Sequence, residues 1–275
     1  MKDLAAIILA AGKGTRMKSD LPKVAHEVAG RPMVWWVARA CAQAGCSRIV
    51  LVVGHQREVV EGIFWGFDEP GVSVEFAVQE PQLGTGHAVQ CAMGCVEDLI
   101  GLGGGADVFV LAGDGPLIRA ETLLTLRSRH DAAGASASLA TAVIDDPSGY
   151  GRIVRDGGGA FRGIVEHKNC TDEQLAIREV NPSYYCFDGA ALARSLPRLA
   201  RDEKSGEYFI TDVPGLLLAG GERVEVVGAV PAEDVLSINT PEQLRAVDLI
   251  LRGRAGEGGD GGGDGGGGVG EGGEG

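Results

Sequence analysis

The sequence predicts an α/β protein: a mostly parallel, Rossmann-like sheet flanked by helices, with a small antiparallel extension. Three observations predict it. Short apolar, β-branched runs alternate with helical patterns through the first half, the alternation that builds a parallel sheet covered on both faces. The first run breaks at Ala10-Ala11-Gly12 into a small-residue loop carrying Lys13, Arg16, Lys18 and Lys23. The second half offers short strands without long helices between them, as antiparallel pairing requires.

The elements follow in order. Residues 5–9 form an unbroken apolar run, Ala5-Ala6-Ile7-Ile8-Leu9, which reads as a strand buried on both faces. Comparable runs at 49–53, 72–78 and 108–112 supply three more strands. Helical patterns at 33–44, 57–64, 86–99 and 121–130 lie between or after them. Downstream, strands are expected near 137–143, 151–154, 161–165 and 180–187, then helices near 189–199 and 211–218. A strand near 223–228 and a helix near 240–251 close the ordered part. Residues 253–275 hold 15 glycines and five acidic residues against one arginine, from which no core can be built. The expected organisation is therefore one domain over 1–252 and a disordered, glycine-rich acidic tail over 253–275.

Composition excludes several classes. The net charge of −13 and a pI near 4.8 argue against a nucleic-acid binder, which would carry a basic stripe. No stretch reaches 18 apolar residues, so no membrane span is expected. The N-terminus passes straight into strand-like sequence without the features of a signal peptide, so a cytoplasmic location is expected. The six cysteines include no C-x-x-C pair and read as small buried thiols, and the histidines include no H-x-x-x-H pair, so neither suggests a zinc site.

The opening loop can be tested against known phosphate chemistries. Gly12 and Gly14 do not fit G-x-x-x-x-G-K-[ST], and Met17 stands where a dinucleotide fingerprint needs its third glycine. What remains is a flat glycine loop whose backbone N–H groups can wrap phosphates, with Arg16 and Lys23 as countercharges. Two further clusters agree with this. In Val78–Ala88, Gln79 falls at a strand end and Gly84-Thr85-Gly86 before a helix. An amide there can pair with a nucleobase edge, and a glycine lets a planar base approach; a plain strand-to-helix turn is the bland alternative. In Val108–Ile118, an apolar strand ends at Gly113-Asp114. Ligands of open parallel sheets bind outside such carboxyl ends, and an acidic residue there suits Mg²⁺ in phosphoryl chemistry.

At this point the sequence resembles a family: the uridyltransferase half of the bifunctional N-acetylglucosamine-1-phosphate uridyltransferase/glucosamine-1-phosphate acetyltransferases. The resemblance runs from about residue 4 to residue 250. Its motifs are Leu9–Met17, Asp20–Lys23, Gln82–Ala88, Gly113-Asp114, Gly149–Ile153, Ile164–Lys168, Thr171–Gln174 and Glu207–Asp212. The first is shared by sugar-nucleotide transferases in general; the "QLGTGHA", "GYGRI" and "IVEHK" set is narrower. The resemblance implies the nucleotide-diphospho-sugar transferase fold, UTP and N-acetylglucosamine-1-phosphate as substrates, and Mg²⁺ as cofactor. It implies that Ala10, Ala11, Gly12, Gly14, Gln79, Gly84 and Thr85 hold uracil, and that Arg16 and Lys23 meet the triphosphate. It implies further that Asp114 and Asn239 ligate Mg²⁺, and that Gly151, Glu166 and Asn181 hold the sugar. Local sequence leaves Asn239 open as the cap of the helix after Pro241, and Glu166 as a solvated strand-end charge.

The implied chemistry is in-line attack of the sugar-1-phosphate on the α-phosphorus of UTP, which needs alignment and charge neutralisation but no covalent nucleophile. The sequence departs from the family at Gly115, where valine is usual, and at Pro182-Ser183, where Thr-Gly is usual. The hexapeptide repeats of the family's C-terminal β-helix are not written in 253–275, which leaves a separate acetyltransferase open as a partner. Two other readings stay open: a nucleotidyltransferase for another sugar-1-phosphate or base, and a non-catalytic nucleotide-sugar-binding protein.

Overall fold

The computed structural model describes residues 2–17, 19–101 and 105–257. Its strands are β1 (Asp3–Leu9), β2 (Glu27–Val28), β3 (Arg31–Pro32), β4 (Arg48–Val53), β5 (Ser73–Val78), β6 (Ala106–Ala112), β7 (Ala137–Ala140), β8 (Ala142–Val143), β9 (Gly151–Arg155), β10 (Phe161–Val165), β11 (Glu179–Asn181), β12 (Tyr184–Asp188) and β13 (Val224–Val227). The helices are α1 (Met33–Gln43), α2 (Arg57–Ile63), α3 (Thr85–Ala92), α4 (Glu97–Gly101), α5 (Ala120–Ala133), α6 (Asp172–Leu175), α7 (Gly189–Ser195), α8 (Val213–Ala219) and α9 (Pro241–Glu257).

Seven strands form the central sheet in the order β13-β7-β12-β6-β1-β4-β5. All neighbours run parallel except β12, which is antiparallel to both β6 and β7. The chain winds outward from β1 through β4 to β5, then returns to place β6 on the other side of β1. That reversal is the topological switch point, where a crevice opens at the carboxyl ends of the strands. Leu9 is level with Val52 on one side and with Ala112 on the other, so three strands end along one line. The Gly113 N–H donates to the Leu9 carbonyl at 3.0 Å and holds the two loops of the crevice together.

The alternation of β1 explains the two-sided burial. Leu4, Ala6 and Ile8 point to one face, packed with α1, α2 and α5 through Val34, Val37, Cys41, Val60, Leu123 and Leu126. Ala5 and Ile7 point to the other, packed with α3, α7 and α8 through Val89, Leu192, Val213 and Leu217. Burying a strand on both sides is what an unbroken apolar run is for. A third cluster joins Met17 and Met33 to Val247 and Leu251 of α9, so the last helix anchors the opening glycine loop.

The antiparallel part is more extensive than expected. Besides β12 within the main sheet, a separate four-stranded sheet has the order β10-β9-β11-β8. The expected strand at 180–187 is two strands in two sheets, β11 and β12, broken at Pro182-Ser183. Pro182 has no N–H to continue a ladder, and Ser183 takes a left-handed φ of 65°. The expected strand at 137–143 divides in the same way at Thr141, whose N–H donates to the Val227 carbonyl at 2.8 Å. The expected helix at 86–99 is α3 and α4, parted by a 3-10 turn at Met93–Cys95. The last helix runs to Glu257, past the expected boundary at 252, and the rest of the expected tail lies outside the described residues. Cys41, Cys46 and Cys186 are buried thiols, whereas Cys91, Cys95 and Cys170 are only half-buried; all six are unpaired. Among the described residues, no helix is long and apolar enough to cross a membrane.

Candidate active site

Two clefts open along the carboxyl edge of the sheet and meet at one point. The first, about 340 Å³, lies over the β1 and β5 ends and is lined by Ala11, Gly12, Lys23, Gln79, Gln82, Gly84, Thr85, Asp114 and Glu207, among others. The second, about 300 Å³, lies toward the small sheet, against Arg16, Asp114, Tyr150, Gly151, Glu166, Asn181 and Asn239. Ala112, Asp114 and Ser183 line both. A smaller recess bounded by Gly12, Gly14, Arg16, Lys23 and Asn239 lies at the junction. All the expected site residues therefore line one connected hollow, apart from Ala10. That residue is buried, and its N–H is spent on the Val52 carbonyl at 2.9 Å, so it supports the loop from beneath.

The junction is a cluster of opposite charges. The Lys23 ammonium donates both to the Asp114 carboxylate and to Asn239 Oδ1, the latter at 2.7 Å. Arg16 donates to the same Oδ1 at 2.7 Å. The Asn239 amide is turned this way because its Nδ2 donates to Ser237 Oγ at 3.2 Å. Its backbone N–H donates to Gln243 at 2.7 Å, and the Ile238 N–H donates to the Asp114 carbonyl at 3.0 Å. The side chain is free to reach the junction because Thr240, not Asn239, caps the helix, accepting from the Gln243 N–H at 3.3 Å. Two hard oxygens from distant parts of the chain thus converge on one cation. Such a pair suits Mg²⁺, which binds through one or two protein oxygens and completes its shell with water and substrate phosphates. Among the described residues there is no cluster of three or more His, Cys, Asp or Glu side chains that could cage a metal alone.

Lys23 is fixed because Gly14 yields to it. Gly14 has φ of 64°, and a Cβ there would lie 2.5 Å from the Lys23 Cβ. The glycine is needed twice over, for its conformation and for the close approach. In the first cleft, Gln79 Nε2 donates to the Gly84 carbonyl at 2.9 Å and lies 3.2 Å from His87 Nδ1. Its amide oxygen is thereby left to accept from a ligand. Thr85 Oγ1 accepts from the Ile210 N–H at 3.0 Å, so its hydroxyl docks the 207–210 segment against the cleft wall.

In the second cleft, Gly151 and Asn181 are register partners on neighbouring strands. Asn181 donates to the Tyr185 hydroxyl at 2.6 Å and accepts from the Ser183 N–H at 3.1 Å. Glu166 accepts from the Thr211 hydroxyl at 2.9 Å. Burial raises its carboxyl above the ordinary glutamate range, and the Thr211 hydrogen bond and the Lys168 charge only partly oppose this. Behind the cleft, Arg152 is 1% exposed and donates to the Tyr150 carbonyl, with His167 Nδ1 3.4 Å and the Leu175 carbonyl 3.5 Å away. Tyr150 joins the two halves of this cleft, because its hydroxyl donates to the Val235 carbonyl at 3.0 Å and accepts from the Ser237 N–H at 3.2 Å.

Gln82, Glu207, Tyr150 and Ser183 line the clefts without having been singled out as site residues. Three lie inside motifs quoted above, so motif membership was their only signal. Gln82 donates to the Ala11 carbonyl and ties the first loop to the third.

Residues 6–212 match the model of the MobA-like NTP transferase domain. The chain is 44% identical over 254 residues to the bifunctional protein GlmU of Geobacter metallireducens, covering 92% of this chain and 52% of that protein. It is 44% identical over 250 residues to the GlmU of Trichlorobacter lovleyi, covering 91% and 52%. To the GlmU of Bacillus thuringiensis it is 42% identical over 254 residues, covering 92% and 53%. The chain thus spans about half the length of these curated relatives.

Proposed function

The chain belongs to the MobA-like NTP transferase domain family, and from that premise we propose that it transfers a uridylyl group from UTP to N-acetylglucosamine-1-phosphate. Nucleotidyl transfer is the family's chemistry; the base, the sugar and the metal belong to the proposal. The observation that carries it is the meeting of two clefts at Lys23, Asp114 and Asn239. The first cleft is lined by the Gln79 and Gln82 side chains and Gly84 as well as by the glycine loop and Lys23, which suits a nucleoside triphosphate. The second offers Glu166, Asn181 and the Gly151 backbone, which suit the hydroxyl and acetamido groups of a sugar. The similarity of the "GYGRI" and "IVEHK" segments to the uridyltransferases supports that choice of sugar.

The acceptor phosphate is already ionised, so its oxygen can attack the α-phosphorus of UTP without a general base. One P–O bond forms, the bond to the bridging oxygen of the β-phosphate breaks, and pyrophosphate leaves. The residues bring two anions together and offset their charge. In this reading Lys23 and Arg16 bind the phosphates, and the loop from Ala11 to Gly14 presents backbone donors to them. Asp114 and Asn239 would hold Mg²⁺, which when bound would neutralise phosphate charge and polarise the reacting group.

The test is release of pyrophosphate from UTP, N-acetylglucosamine-1-phosphate and Mg²⁺, with panels of nucleotides and sugar phosphates alongside. Faster turnover of another base or sugar would replace the assigned substrates. Nucleotide-sugar binding with no pyrophosphate release from any pair would make this a binding protein instead.

A further inference from the structure

One motif of the sequence has no part in the reaction as described: Glu207–Asp212, whose first residue lines the first cleft. We propose that Glu207 selects ribonucleotides by accepting a hydrogen bond from the ribose hydroxyls. The assignment rests on the nucleotide reading of that cleft.

The position of Glu207 is fixed by backbone pairing. The Tyr208 N–H donates to the Leu83 carbonyl at 2.8 Å, and the Gly86 N–H donates to the Tyr208 carbonyl at 2.8 Å. This clamps the segment onto Gly84; a Cβ on Gly84 would stand 2.8 Å from the Glu207 Cβ. Glu207 therefore stands at the Gly84 end of the cleft, beside the slot for a base. A carboxylate repels phosphates, and the cations Lys23 and Arg16 mark where those go, at the junction. What a nucleoside offers a carboxylate is its donors: the base N–H and the ribose hydroxyls. Gln79 already answers the base, since its Nε2 is spent on Gly84 and its oxygen is left as acceptor. The ribose hydroxyls remain. Glu207 Oε2 is held by Lys168 at 2.9 Å, which orients the carboxylate and leaves Oε1 to accept. A site built to bond a hydroxyl rejects the analogue without it, because its own charged acceptor is then left unpaired.

The test compares calorimetric binding of UTP, 2′-deoxyuridine triphosphate and 3′-deoxyuridine triphosphate, with Mg²⁺ present. The proteins are the wild type, Glu207→Ala, Glu207→Gln and Lys168→Met. The wild type should prefer UTP over at least one deoxy analogue by on the order of 10-fold to 100-fold, the range for a hydrogen bond to a charged group. Glu207→Ala should bring that ratio near one, by weakening UTP and by relieving the deoxy complexes of an unpaired carboxylate. Glu207→Gln, which keeps the shape, should retain part of the ratio. Lys168→Met should keep most of it, whereas a merely structural ion pair would make Lys168→Met equal to Glu207→Ala. A wild type blind to both hydroxyls, or a ratio that survives in Glu207→Ala, overturns the assignment. Discrimination without pyrophosphate release would refute the transferase reading and leave Glu207 standing. Release without discrimination would do the reverse, and binding of none of the nucleotides would remove both.

Discussion

Gly84→Ala probes the packing on which the first cleft depends. Gly84 has φ of 95° and ψ of 178°, a region open in practice only to glycine. An alanine held there stores roughly 1–3 kcal/mol of backbone strain. Its Cβ would also lie 2.5 Å from the Tyr208 carbonyl oxygen, where 3.4 Å is an ordinary contact. The 207–210 segment must therefore retreat by about 0.9 Å, the difference of those distances. Retreat stretches the two Tyr208 hydrogen bonds and the bond from the Ile210 N–H to Thr85. Overpacking of this kind costs roughly 1–3 kcal/mol more. The sum, about 2–6 kcal/mol, is a large share of the roughly 5–15 kcal/mol that holds a domain together. The expected result in urea unfolding is a lower midpoint at unchanged slope, with weaker UTP binding in the protein that remains folded. A loss below about 1 kcal/mol, with UTP affinity intact, would show that the segment gives way freely and does not form the wall.

Four further outcomes are expected. Asp114→Ala and Asn239→Ala should each cut turnover by on the order of 100-fold or more and raise the Mg²⁺ concentration needed; an unchanged Mg²⁺ titration would remove that residue from the ligand set. Glu166→Gln should raise the melting temperature near about pH 8 more than near about pH 4. A carboxyl whose folded-state pKa is raised favours folding below its unfolded pKa and loses that benefit as pH rises through the folded one, and glutamine avoids the loss; equal shifts at both pH values would contradict this. Ser183→Gly should stay within about 1 kcal/mol of the wild type, because relief at φ 65° offsets glycine's extra chain entropy. Ser183→Val should cost about 1–3 kcal/mol, and equal melting of the two would refute the strain argument. Gly115→Val should cost about 1–3 kcal/mol alone and less when combined with Tyr184→Phe, since a Cβ at 115 meets the Tyr184 hydroxyl at 2.6 Å; strict additivity would refute the contact.

The first half of the fold was legible because its signal is local. An apolar run such as Ala5–Leu9 can be buried only within a two-sided sheet, so the strand, its neighbours and the loop at its end follow together. The second half was less legible because its strands change sheets. Nothing in the period of residues 180–187 distinguishes one strand from two. The break comes from Pro182, which cannot donate, and from Ser183, which adopts a left-handed φ that favours glycine. The ribbon of β2 and β3, two residues each, was missed because its pairing rests on the third cluster rather than on its own sequence.

The candidate site divides along the same line. Loops at strand ends could be read one by one, because the carboxyl edge of a parallel sheet is where ligands bind. Residues that arrive by tertiary docking could not. Glu207 reaches the cleft only because its segment pairs with Leu83 and Gly86, a contact spanning more than a hundred residues. The departure at Gly115 has the same character. Read alone, it is a lost valine beside the proposed metal ligand. In the fold the space is filled from β12 by Tyr184, which is 1% exposed and whose hydroxyl lies 3.4 Å from the Asp234 carbonyl. Burial and the neighbouring Asp114 charge keep that phenol protonated, so what fills the space is neutral and rigid. The loop bearing Asp114 is thus backed by an aromatic ring from another strand, which takes up the space beside Gly115.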